Sequence, residues 1–175
     1  DHGFSSFRRG VNLNTWLVRN GLMTLKGQTD DPATLAKLFD TRDLFQNVDW
    51  PRTKAYALGL GSIYLNVVGR ERNGSVLPGQ DYEEVRRRIQ EGLTALVDPS
   101  TGEHPIDKVW TREELYTGFD PNLIPDLRAG NALNYRVSWQ TTLGGVPPDI
   151  LEDNHSPWSG DHCSNDPDLV PGILF

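Results

Sequence analysis

Apolar residues recur at helical spacing most clearly over residues 81–97, where Val85, Ile89, Leu93, Leu96 and Val97 share one face. That spacing predicts a helix opened by Asp81, with Glu84 three positions on in a capping-box arrangement, and stopped at Asp98-Pro99. Its basic run, Arg86, Arg87 and Arg88, is expected to be a solvated face paired with Glu83, Glu84 and Glu91. A shorter helix is predicted over residues 12–21, between an Asn cap at Asn12 and Gly21 in the C′ position. One or two helical turns are expected over residues 33–39 and another over 112–116.

The strand signal is strongest over residues 53–68. Two runs rich in β-branched and aromatic residues flank Gly59 and Gly61, which predicts neighbouring strands joined by a tight turn. Further strands are expected over residues 22–26, 106–111, 125–129, 135–141 and 170–175, with 27–52, 70–79 and 142–168 mostly irregular. Arg136 and Trp139 alternate along one of these strands with Tyr135 and Val137, which points to packing roles. Strands and helices mix without a regular order. The expected class is therefore α/β with a mixed sheet and flanking helices, in a single domain spanning residues 1–175.

Composition narrows the functional classes. A net charge of -7 does not suit a surface that tracks a phosphate backbone, so nucleic-acid binding is not expected. An acidic protein can still act on phosphate esters where bound divalent ions supply positive charge. No apolar run approaches the ~20 residues that span a bilayer, so no membrane partner is expected. The lone Cys163 cannot form an internal disulfide, which is compatible with cytoplasm or periplasm.

Four histidines are present: His2, His104, His155 and His162. His104 and His155 lie in polar stretches where a surface role is expected. Asp1-His2-Gly3 pairs a carboxylate with an imidazole, a donor set that suits Zn²⁺ or Mn²⁺. Adjacent strand residues face opposite ways, so both reach one ion only where the chain turns, and Gly3 supplies the backbone freedom for that turn. His162 follows Ser159-Gly160-Asp161, 160 residues after His2. Lys54 is a candidate phosphate contact, weighed against a structural role.

The chain resembles the type I phosphodiesterase/nucleotide pyrophosphatase family of the alkaline phosphatase superfamily. The resemblance rests on Asp1-His2-Gly3-Phe4, on the run from Thr53 to Asn66 followed by Gly69-Arg70-Glu71, and on Tyr135-Arg136-Val137-Ser138-Trp139-Gln140-Thr141. Leu143-Gly144-Gly145, Trp158-Ser159-Gly160-Asp161-His162 and Val170-Pro171-Gly172 complete it. It implies the C-terminal portion of an alkaline-phosphatase-like fold and two divalent ions, zinc or sometimes manganese, about 4 Å apart. By motif, Asp1 and His2 fall to the nucleophile-side ion and His162 to the second, with Asp161 structural or behind the ligands. The implied substrate is a small phosphate ester or nucleotide.

The family's nucleophile and its other ligands lie before the Asp-His-Gly motif. No catalytic residue is therefore assigned, and the three positions named make up part of roughly seven ligands. The expectation is a chain lacking an N-terminal half, inactive alone and prone to self-association through exposed core surface. Two alternatives remain: a phosphomutase or other transferase of the same superfamily, and a non-catalytic truncated chain or interaction module.

Overall fold

Two four-stranded sheets share one hydrophobic core. The structure is a computed structural model and describes residues 2–40 and 44–173. The chain begins with β1 (Ser5–Val11), α1 (Leu13–Arg19), α2 (Pro32–Ala36), β2 (Ala55–Leu58) and β3 (Ser62–Leu65). It continues with α3 (Gln80–Thr94), β4 (Ile106–Thr111), α4 (Arg112–Leu115), β5 (Leu127–Asn131) and β6 (Asn134–Val137). The last elements are α5 (Trp139–Thr142), β7 (Leu151–Asp153) and β8 (Gly160–Asp161).

One sheet is antiparallel throughout, in the order β2-β3-β5-β4. Its hairpin forms as the sequence predicts. Ala55 and Ala57 pair with Leu65 and Ile63 on the buried face, and Gly59 and Gly61 turn with φ of 75° and 95°. Helix α3 packs its Val85–Ile89–Leu93 face against this sheet. The other sheet is mixed: β1 runs parallel to β6 and antiparallel to β7 and β8. The α/β class with mixed pairing therefore holds, with the strands divided between two sheets where a mixed sheet was expected.

Local differences have physical causes. Helix α3 starts at Gln80, capped by Gly79 at φ 94°, because Asp81 Oδ2 accepts from the Leu77 backbone N–H at 2.8 Å and forms no capping box. It ends at Thr94, short of Asp98. Arg87 pairs with Glu84 and Glu91 and Arg86 with Glu83 as expected, but Arg86 is buried, not solvated, and also reaches Glu113 at 2.8 Å, and Arg88 donates to the Asn20 carbonyl. Residues 22–26 make only a single bridge, Leu25 with Val48. The strand expected over 135–141 stops at Val137 because Ser138 accepts from Thr141 N–H and opens α5. Residues 170–173 form no strand, and Leu174 and Phe175 lie outside the described residues. Strands β1, β7 and β8 were not predicted. Among the described residues no helix is long and apolar enough to cross a membrane.

Candidate functional site

The register of β1 against β8 brings the two ends of the chain together. Ser5 pairs with Asp161 and Ser6 with Gly160, so the residues entering β1 meet those leaving β8. His2 and His162 consequently stack, with ring centroids 3.8 Å apart and planes 1° from parallel. Phe4 sets its ring edge-on against both, at 5.1 Å and 4.8 Å. His2 Nδ1 lies 3.1 Å from the Gly3 carbonyl oxygen.

Gly3 has a different reason from the one its sequence suggests. It does not take up a positive φ. It lies so close to the 170–171 backbone that an added Cβ would sit 3.0 Å from the Pro171 carbonyl oxygen. The glycine thus permits a close approach that locks the start of the chain against its last segment.

Of the other expected residues, Asp1 lies outside the described residues. Asp161 is buried and turned away from the imidazoles. Its Oδ2 accepts from the Ser164 hydroxyl at 2.6 Å and Oδ1 faces Arg136 at 3.8 Å, an arrangement that holds the loop carrying His162. Cys163, half-buried, was not singled out as a donor. Its Sγ lies 3.1 and 3.3 Å from the two nitrogens of His162, and the only sequence signal for it is adjacency. His104 bonds the Thr94 carbonyl at the end of α3, and His155 is exposed. Lys54 donates to the Ser75 carbonyl and faces Asp81 at 3.5 Å, so it ties two loops together.

Imidazole nitrogens suit zinc, so the donors have the right chemistry for the implied ions. A ring nitrogen directs its lone pair within the ring plane. Two parallel rings stacked at 3.8 Å therefore do not converge on one point. Donor number is the shortfall: among the described residues no group of three or more His, Cys, Asp or Glu side chains is placed to hold a metal ion. Compared with known protein families, characterised proteins and solved structures, the chain matches none.

Proposed function

We propose that this chain forms part of a two-metal phosphohydrolase of the phosphodiesterase/nucleotide pyrophosphatase kind, acting on a small phosphate ester or nucleotide. The stacked pair His2 and His162, drawn from opposite ends of the sequence, carries this reading. His2 with Asp1 would hold the nucleophile-side ion and His162 the second. Such ions, when bound, offset phosphoryl charge and activate the attacking oxygen. The chain's own part is placement: the β1–β8 register sets the ring positions, Asp161 fixes the loop through Ser164, and Phe4 walls the pair on one side. The nucleophile and remaining ligands would come from residues outside those described. The competing reading is a non-catalytic scaffold that keeps the fold without the chemistry.

Zinc titration of the chain, followed by imidazole NMR, separates these. One ion per ring predicts that His2 and His162 respond independently, and that His162→Ala leaves the His2 response in place. A joint response abolished by either His2→Ala or His162→Ala would overturn the two-ion assignment. Silence of both rings would favour the scaffold. The chain alone should not hydrolyse a chromogenic phosphodiester.

A further inference from the structure

The outer face of the mixed sheet carries a cleft of about 550 Å³ that the imidazole pair does not use. Its geometry follows from strand register. Arg136 on β6, Gly10 on β1 and Glu152 on β7 form one row across three strands. The neighbouring row contains Val11 and Val137, both fully buried in the core, so the Arg136 row points the opposite way. Gly10 adds no side chain to the row, and Arg136 lies at the cleft's floor.

The state of this arginine is unusual. Its side chain is only 4% exposed, and its guanidinium sits 4.9 Å from the Phe7 ring centre and 4.4 Å from that of Trp139. Nε donates to the Val137 carbonyl at 3.0 Å. Neither Nη atom donates a hydrogen bond to a described residue. The nearest acid, Asp161 Oδ1, is 3.8 Å from Nη2, beyond hydrogen-bond reach, and its other oxygen is held by Ser164. The contact with Asp161 is a long ion pair, and the fork, at the cleft and without a hydrogen-bonded acceptor, matches the two oxygens of an oxyanion.

The walls specify what is attached to the oxyanion. Trp139 and Trp158 line the cleft at 59% and 61% exposure. The guanidinium covers one part of Trp139, and the rest of the indole is open to a stacked ring. Asp149 and Glu152 also line the cleft, and Glu152 stays anchored to Asn12 at 3.3 Å. Their charge disfavours a dianion and favours a single negative charge.

The geometry points to a subsite for an aromatic carboxylate, with its oxyanion on Arg136 and its ring against Trp139 and Trp158. The subsite rests on these residues alone and holds whether or not the imidazoles bind metal. The test is titration of the chelator-treated chain with benzoate, its neutral analogue benzamide, phenyl phosphate and acetate, read by tryptophan fluorescence and calorimetry. Benzoate should bind saturably, and at least about tenfold more tightly than benzamide. Arg136→Gln should lower benzoate affinity by a similar factor and leave benzamide unchanged. Trp158→Ala, at an exposed position, should weaken both ring compounds and spare acetate. Equal binding of benzoate and benzamide, or no saturable benzoate binding, would overturn the proposal. Tighter binding of phenyl phosphate would overturn the carboxylate assignment. If circular dichroism shows that Arg136→Gln does not fold, the benzoate-to-benzamide ratio of the unsubstituted chain and the Trp158→Ala result decide the matter.

Discussion

The antiparallel sheet and the mixed sheet treat their polar groups in opposite ways. In the antiparallel half, the most buried charge is held by several partners at once: at Asp126 two arginines, a tyrosine and a backbone N–H converge on one carboxylate. In the mixed half, the imidazoles of His2 and His162, the Arg136 fork and two indoles face outward. Its strands are short, two or three residues in β8 and β7, and they come from both ends of the chain. The antiparallel half turns its Asp126 cluster inward, and the mixed half, beside inner pairs such as Asp161 with Ser164, also presents polar and aromatic side chains at its surface.

The strongest way to break this contrast is at Asp126. Oδ1 accepts from Tyr82 at 2.8 Å, Arg70 at 2.9 Å and Arg112 at 3.0 Å, while Oδ2 accepts from Leu65 N–H at 2.7 Å and Arg70 at 2.6 Å. Burial and the charge of Asp126 push the Tyr82 phenol well above its ordinary range. Asp126→Ala would strip Arg70 and Arg112 of their shared buried carboxylate, leaving them the half-exposed Glu71 and Glu113, and would orphan the Leu65 N–H and Tyr82 hydroxyl, at a cost of about 3 kcal/mol in urea unfolding. A loss under about 1 kcal/mol would mean that the antiparallel half does not depend on its internal pairing.

Asp98 joins the halves, since it follows α3 and binds Arg9 of β1 and Tyr135 of β6 at 2.5 and 2.8 Å. Burial pushes its carboxyl up, but bonds from Ser100, Arg9 and Tyr135 outweigh burial and hold it well below the usual carboxylate range. Burial and Asp98 push Tyr135 up to about 12. Because the folded value of Asp98 lies below the unfolded one, its contribution is complete above the unfolded value. That contribution is lost as pH falls below about 4. Asp98→Asn should cost about 3 kcal/mol at neutral pH. The gap between urea melts of the two proteins should begin to narrow as the pH drops from 5 to 3, closing fully only at still lower pH; a gap that stays constant would show that the Asp98 charge is not what ties the halves.

The same contrast explains what the sequence makes legible. The face Val85–Ile89–Leu93 and the alternation of Ala55, Ala57, Ile63 and Leu65 are local patterns, so α3 and the β2–β3 hairpin can be read from neighbours a few residues away. β1 cannot. Its Phe7 and Val11 are separated by two arginines and a glycine, and its strand character is imposed by partners more than 120 residues further on. β7 and β8 are too short to carry a period and exist because β1 offers two edges. The start of α3 misleads because Asp81 bonds backward to Leu77 and leaves capping to Gly79. At the site, His2 and His162 are picked out by motif resemblance, while nothing in the spacing of Arg136 reveals that Phe7 and Trp139 enclose it.

Two glycines give the smallest and sharpest comparison. Gly61, in the antiparallel hairpin, has φ 95°, and a Cβ there would stand 2.5 Å from the Ala129 carbonyl oxygen, which is backbone and cannot turn aside. Gly61→Ala combines left-handed strain with that clash and should cost about 2 kcal/mol. Gly10 lies in the mixed sheet, and its φ is not positive. A Cβ there would meet Glu152 Cγ at 3.3 Å and Ser138 Cβ at 3.4 Å. Both contacts are side-chain atoms that need give way by only a few tenths of an ångström, which Glu152 can do without leaving Asn12, so Gly10→Ala should cost less than about 1 kcal/mol in the same urea assay. Equal losses at the two positions would mean that the outer face of the mixed sheet is as tightly determined as the hairpin, and that the cleft over Arg136 has no room to give.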